Sequence, residues 1–111
     1  MTNPHDPRQN HLLAAIPTDE YTRLFPHLEL ITLPLGDSVC EPGIPMHHVY
    51  FPTTAIVSLL YVMEDGASAE IAVVGNEGIV GISVFMGGET TTSRAVVQSA
   101  GHAYRLRGQL L

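Results

Sequence analysis

The residues best suited by type and spacing to do chemistry lie between Gly81 and Val97, in the stretch GISVFMGGETTTSRAVV. A glycine-flanked apolar turn leads into a polar linker, one arginine and an apolar strand. That order suits a loop that holds an anion. Glycine lets backbone N–H groups come close to a ligand, and a guanidinium supplies charge-assisted hydrogen bonds. The histidines offer less. His47 and His48 are adjacent, so on a strand they face opposite sides and cannot jointly grip one metal ion, and His102 has no spacing that ties it to either. No metal site is expected. Cys40 is the single cysteine. It can form no internal disulfide and no cysteine-based metal or iron–sulfur site, and a buried, inert thiol is expected. No Ser-His-Asp or Cys-His arrangement has a local signature. GETTTSR carries no phosphate-loop lysine, and the chain has no lysine at all. No catalytic residue and no enzymatic activity are expected.

Composition bounds what these residues can serve. A chain of 111 residues makes one domain with a modest core. Hydrophobic residues make up 45% and charged residues 14%, which argues for a folded globular domain and against disorder. No apolar run reaches the ~18 residues of a membrane span. The longest, Ala55–Met63, suits a strand. The N-terminal MTNPHDPRQN has no basic-then-apolar signal pattern, so a cytoplasmic location without a membrane partner is expected. The net charge is −6 and the five basic residues are all arginine. Such a surface repels nucleic acid, so any DNA-contacting part must lie outside this chain. Arg94, Arg105 and Arg107 all fall near the C-terminal end, a skew that marks a candidate site.

The positioning elements can be read from periodicity. RQNHLLAAIP reads as a short helix ended by Pro17. Thr18 is the expected N-cap of a second helix, with Asp19 and Glu20 in its first turn. Tyr21, Leu24, Phe25 and Leu28 form its apolar face, and Pro26 cuts it short. Periods of two then take over, punctuated by turn residues, as in a sandwich or jelly roll. The expected strands are LELITL, DSVCE, HVYF, AIVSLLYVM, ASAEIAVV, SRAVVQS and HAYRL, with Asp65-Gly66 a hairpin turn. In ASAEIAVV, Ala67, Ala69, Ile71 and Val73 are expected on one face and Glu70 on the other. IVGISVFM reads as a strand running into one short helical turn.

On EPGIPMHHVYFP, AIVSLLYVMEDG and VGNEGIVGISVFMGG…SRAVV, the chain resembles the N-terminal sensor domain of the Crp/Fnr family of bacterial transcription regulators, from about His11 to Leu106. The resemblance implies a mainly β double-stranded β-helix (jelly roll) with short flanking α-helices. Its parts are a helical segment over 1–27, a cyclic-nucleotide-binding-like barrel over 28–107 and the start of a C-terminal helix at 108–111. It also implies a small-molecule effector, and homodimerisation and DNA binding only through parts that lie beyond this chain. Oxygen sensing of the Fnr type needs several cysteines and is not expected. In nucleotide-binding members a glycine and a glutamate sit together, and an arginine, a small polar residue and an alanine follow. The matching positions are Gly81, Ile82, Ser93, Arg94 and Ala95.

Two of these matches depart from the pattern. Ile82 cannot accept a hydrogen bond from a ribose hydroxyl. Ser93 occupies the arginine position and the arginine is shifted to Arg94, which on a strand turns it to the other face. Each lost contact costs ~1.5–3 kcal/mol, and the two together weaken binding by ~two to four decades. The expectation is therefore an effector-sensing domain with a degenerate phosphate-binding cassette, whose ligand is not cAMP, and with no cofactor. Arg94 is then a surface arginine paired with a carboxylate such as Glu89. Two other readings stand beside it: a cupin-like metal-binding barrel enzyme, and a ligand-free scaffold.

Overall fold

A computed structural model of the chain describes residues 5–41, 47–81 and 93–110. Helices come first and strands follow. Asp6 caps a short 3-10 turn, Pro7–Gln9, through a reciprocal capping box with Gln9. Asn10 then caps α1, His11–Ala15, its side-chain oxygen accepting from the N–H groups of Leu12 and Leu13. The second helix, α2, spans Thr18–Leu24. Its N-cap is Pro17 rather than Thr18, and no side chain caps it. The proline ring holds its own φ at −57°, so Thr18 already has helical geometry. Asp19 and Glu20 lie in the first turn as expected, and α2 ends at Leu24, where a 3-10 turn over Phe25–His27 containing Pro26 takes over.

Among the described residues seven strands follow: β1 (Glu29–Leu33), β2 (Ser38–Cys40), β3 (His48–Pro52), β4 (Ile56–Val62), β5 (Ser68–Val74), β6 (Ser93–Ser99) and β7 (Gly101–Arg107). They form two antiparallel sheets, in the orders β1-β7-β3 and β2-β6-β4-β5. The mainly β jelly roll with short flanking helices is thus the observed architecture. The β4–β5 hairpin turns at Asp65-Gly66, whose Asp65 carboxylate accepts from Ala67 N.

Two apolar clusters hold these layers. Leu33, Val57, Ala95, Val97 and Ala103 are buried between the two sheets, with Cys40 and Val80. Leu13, Tyr21 and Leu24 of the helices pack on Val49, Phe51 and Leu106, on the outer face of the three-stranded sheet. Alternation along β3 and β7 serves both layers: Val49 and Phe51 face the helices and Tyr50 the sheets.

Two of the crossings between the sheets, β3 to β4 and β6 to β7, meet at a crowded corner. The N–H groups of Thr53, Thr54 and Ala55 all approach the carbonyl of His102 at 3.0–3.2 Å, between β3 and β4. Gly101 lies against this crossing. A Cβ on it would fall 2.5 Å from Ala55 N and 2.6 Å from the Thr54 carbonyl carbon, so only glycine fits.

The β5 alternation differs from the expectation. Leu59 pairs with Ala72 but Leu60 pairs with Glu70, so Ile71 is an extra residue in the ladder. Ile71 is 60% exposed and Val73 47% exposed, while Val74 packs on the core between the sheets. The bulge moves the apolar face from one set of alternate residues to the other.

Candidate functional site

Two chain segments flank the anion-loop stretch among the described residues. On the upstream side, Tyr50 and Val80 exchange backbone hydrogen bonds of 3.0 and 2.9 Å, an isolated bridge that fixes the chain just before the loop. Gly81 follows with φ of +102°, a left-handed conformation that glycine takes without strain. Residues 75–78 are held from the helical side. His11 N donates to Asn76 O at 2.6 Å, and the Asn10 amide donates to Gly78 O and to Pro52 O, both at 2.8 Å. Asn10 is fully buried, and all its side-chain bonds point to different partners. The backbone N–H of Gly75 binds the Glu77 carboxylate and holds its pKa below the usual range.

On the downstream side, β6 re-enters the sheet at Ser93, opposite Tyr61. Arg94 is opposite Leu60, and Ala95 opposite Leu59 and Cys40. Ala95 is 1% exposed and belongs to the core between the sheets. Arg94 therefore points to the outer face of the four-stranded sheet. There its Nε donates to Glu41 Oε2 at 2.9 Å, both side chains being more than a third exposed. The Ser38 hydroxyl also donates to Glu41. That bond, then the Arg94 guanidinium, holds the Glu41 carboxyl below its ordinary range. Among the described residues, the carboxylate partner of Arg94 is Glu41. Glu89, Ile82 and most of the expected IVGISVFM strand lie outside the described residues.

Of the five matched positions, the structure brings Ser93, Arg94 and Ala95 together on one strand and puts Gly81 directly after the Tyr50–Val80 bridge. Glu41 was missed in the sequence. It lies 53 residues from Arg94, and only the β2–β6 pairing joins them. Asn10 was missed as well. Its position before the apolar run of α1 signals a cap, but nothing local signals its bonds to Pro52 and Gly78.

The histidines are dispersed. His47 is exposed and His48 half-buried, and His102 lies in β7 with its ring 4.4 Å from that of His5. Among the described residues, no group of three or more His, Cys, Asp or Glu is arranged to hold a metal ion. Cys40 is buried; that burial, then the Glu41 carboxylate, pushes its thiol pKa up. Among the described residues, no helix is long and apolar enough to cross a membrane.

Comparison with known proteins places this architecture. Residues 30–111 match the family model described as the cyclic nucleotide-binding domain. No curated protein sequence matches the chain. Several solved structures share the fold. One is the regulatory subunit of a cAMP-independent protein kinase A from Trypanosoma brucei, in a mutant form bound to cAMP in its A site. It superposes with a TM-score of 0.83 at 16% identity, over 93% of this chain and 38% of that one. The sensor domain of the transcriptional regulator DNR from Pseudomonas aeruginosa gives 0.77 at 15% identity, over 93% and 69%. The N-terminal domain of a transcriptional regulator from Streptomyces coelicolor gives 0.75 at 24% identity, over 92% and 71%. The chain spans well under half of the kinase subunit.

Proposed function

The chain belongs to the cyclic nucleotide-binding domain family, and we propose that it is the effector-sensing regulatory domain of a Crp/Fnr-like transcription factor whose effector is not cAMP. The regulatory part of this reading follows the family, whose members sense rather than catalyse. The choice of transcription over kinase regulation draws support from the bacterial regulator domains among the similar folds, of which this chain covers 69% and 71%.

One observation carries the doubt about cAMP. Arg94 is engaged by Glu41 on the face turned away from Ala95 and the core between the sheets. A guanidinium committed there offers no counter-charge to a cyclic phosphate inside the roll. Ile82 adds no acceptor for a ribose hydroxyl. In this reading the effector shifts a population between two arrangements of a cytoplasmic homodimer, and a separate basic domain reads DNA in one of them. In the same reading the stretch that follows Gly81 in sequence is the segment through which an effector acts.

Thermal denaturation with cyclic AMP and cyclic GMP tests the ligand. A ligand at a hundredfold its Kd stabilises by ~2.7 kcal/mol, which moves the midpoint by several degrees. The expected result is no shift up to ~1 mM of either, where a cAMP receptor with Kd of ~10 μM shifts clearly. A rise with cyclic AMP that Arg94→Ala abolishes overturns the reading. For the transcription role, the decisive observation is the encoded sequence that follows Leu111: a basic helix-turn-helix supports it and a kinase-docking segment overturns it.

A further inference from the structure

Away from the anion loop, a cleft with a cavity volume of 290 Å³ opens where the Phe25–His27 turn meets β1, β3 and β7. Its lining is His27, Glu29, His48, Arg105, Arg107 and Leu110. Register explains the cluster. Glu29 and Tyr50 flank Arg105 across the sheet, and His48 is directly opposite Arg107. Arg105 and Arg107 alternate on one face of β7, about 7 Å apart along the strand.

The charges do not balance within the cleft. Two guanidiniums face one carboxylate, in a protein whose net charge is −6. Glu29 pairs with an Arg105 Nη2. The Arg105 Nε–H is buried and has no hydrogen-bond partner. Arg107 makes no ion pair among the described residues. A buried donor without an acceptor is uncommon in folded proteins and marks a place where water or an ion completes the structure. Burial, then Arg105 and Arg107, lowers the pKa of His48, which shows the same positive potential from a neighbouring side chain.

We propose that this cleft is a second ligand site, separate from the anion loop, for a small doubly charged oxyanion held by Arg105 and Arg107. The size agrees, since 290 Å³ is the share of about ten waters in the liquid. That is ample room for a phosphate monoester or a short dicarboxylate. The shared chemistry is two negative charges on planar or tetrahedral oxygens, which guanidinium forks bind in pairs. Glu29 holds the Arg105 side chain through Nη2, and the His48 ring adds a donor once protonated. This site does not depend on whether the anion loop binds a nucleotide.

Titration of the full chain by NMR and calorimetry tests it, with inorganic phosphate and succinate as probes, and acetate and chloride at matched ionic strength as controls. Phosphate or succinate is expected to move the His48 ring and the Arg105–Gly108 amide signals saturably, and to raise the His48 pKa. The controls are expected to do neither. Arg107→Gln, at an exposed position, is expected to weaken binding at least tenfold. Saturation by phosphate alone assigns a phosphoryl ligand, and by succinate alone a dicarboxylate. The proposal fails if chloride matches both probes, if Arg107→Gln leaves affinity unchanged, or if only an acidic peptide such as hexaglutamate binds. The His48 signals in the unmodified chain decide the question even if the variant folds poorly.

Discussion

Arg94 and Glu41 meet because β2 and β6 are antiparallel neighbours, and their bond lies where water competes for both partners. Exposed pairs of this kind contribute little to stability. Arg94→Ala is therefore expected to keep the fold and to move the thermal midpoint by no more than ~4 °C, as followed by circular dichroism. A larger loss means that the arginine has a second role. His48 gives a clearer pH signature. Its surroundings are Arg105, Arg107, Glu29 and His47, with Tyr50 and His27 beside it, and its pKa lies below the ordinary 6.5. The unfolded chain takes up that proton more readily than the folded one. Stability is thus full above about pH 6.5 and declines as the pH falls toward the folded value. Glu41, also lowered, adds a decline in the same direction at more acid pH. Urea titrations from pH 7.5 to 5.5 are expected to show a fall in stability that His48→Gln flattens. An unchanged slope in the variant rules out His48 as its source.

Among the elements, those bounded by strong punctuation were legible. HVYF before Pro52, AIVSLLYVM before EDG, and the pair around Gly101 emerge as β3, β4, β6 and β7 because period-two patterns and turn residues coincide there. The β5 bulge was not legible. Its alternation is real in the sequence, but Ile71 is left out of the pairing with β4, and only the partner strand reveals that. The start of α2 was misread by one residue because threonine and proline both suit a helix N-terminus. At Gly101 the Thr54–Ala55 backbone occupies the space of the missing side chain, a contact that only the folded chain reveals. Gly101→Ala is therefore expected to cost ~1–3 kcal/mol in urea unfolding, through displacement of the β3–β4 crossing. A loss under ~0.5 kcal/mol shows that the corner is free to relax. Asn10 joins α1 to the β3 end and to the loop before Gly81. Asn10→Ala is expected to cost about 3 kcal/mol, from a lost cap and two buried carbonyls without donors. Asn10→Asp, an equally good cap in isolation, is expected to cost at least as much, since its carboxylate meets the Pro52 and Gly78 carbonyls. If aspartate restores stability, capping alone explains the position.

At the scale of the whole molecule, the described residues on either side of 82–92 are held in two different ways. On one side, β6 is anchored in the four-stranded sheet. On the other, the 75–80 segment is fastened to Tyr50 and to the N-terminal helix. The overall class was legible because few architectures suit short punctuated strands behind a short helical segment. The cleft at Arg105 and Arg107 was legible only as a skew in arginine placement, since its histidines and glutamate arrive from elements far apart in sequence. The buried amide of Asn10 also bears on engineering. The family match begins at residue 30, twenty positions after it. A domain trimmed to that boundary and grafted onto another module leaves behind the amide that holds the Pro52 and Gly78 carbonyls. A portable version must carry the stretch from Asp6 onward.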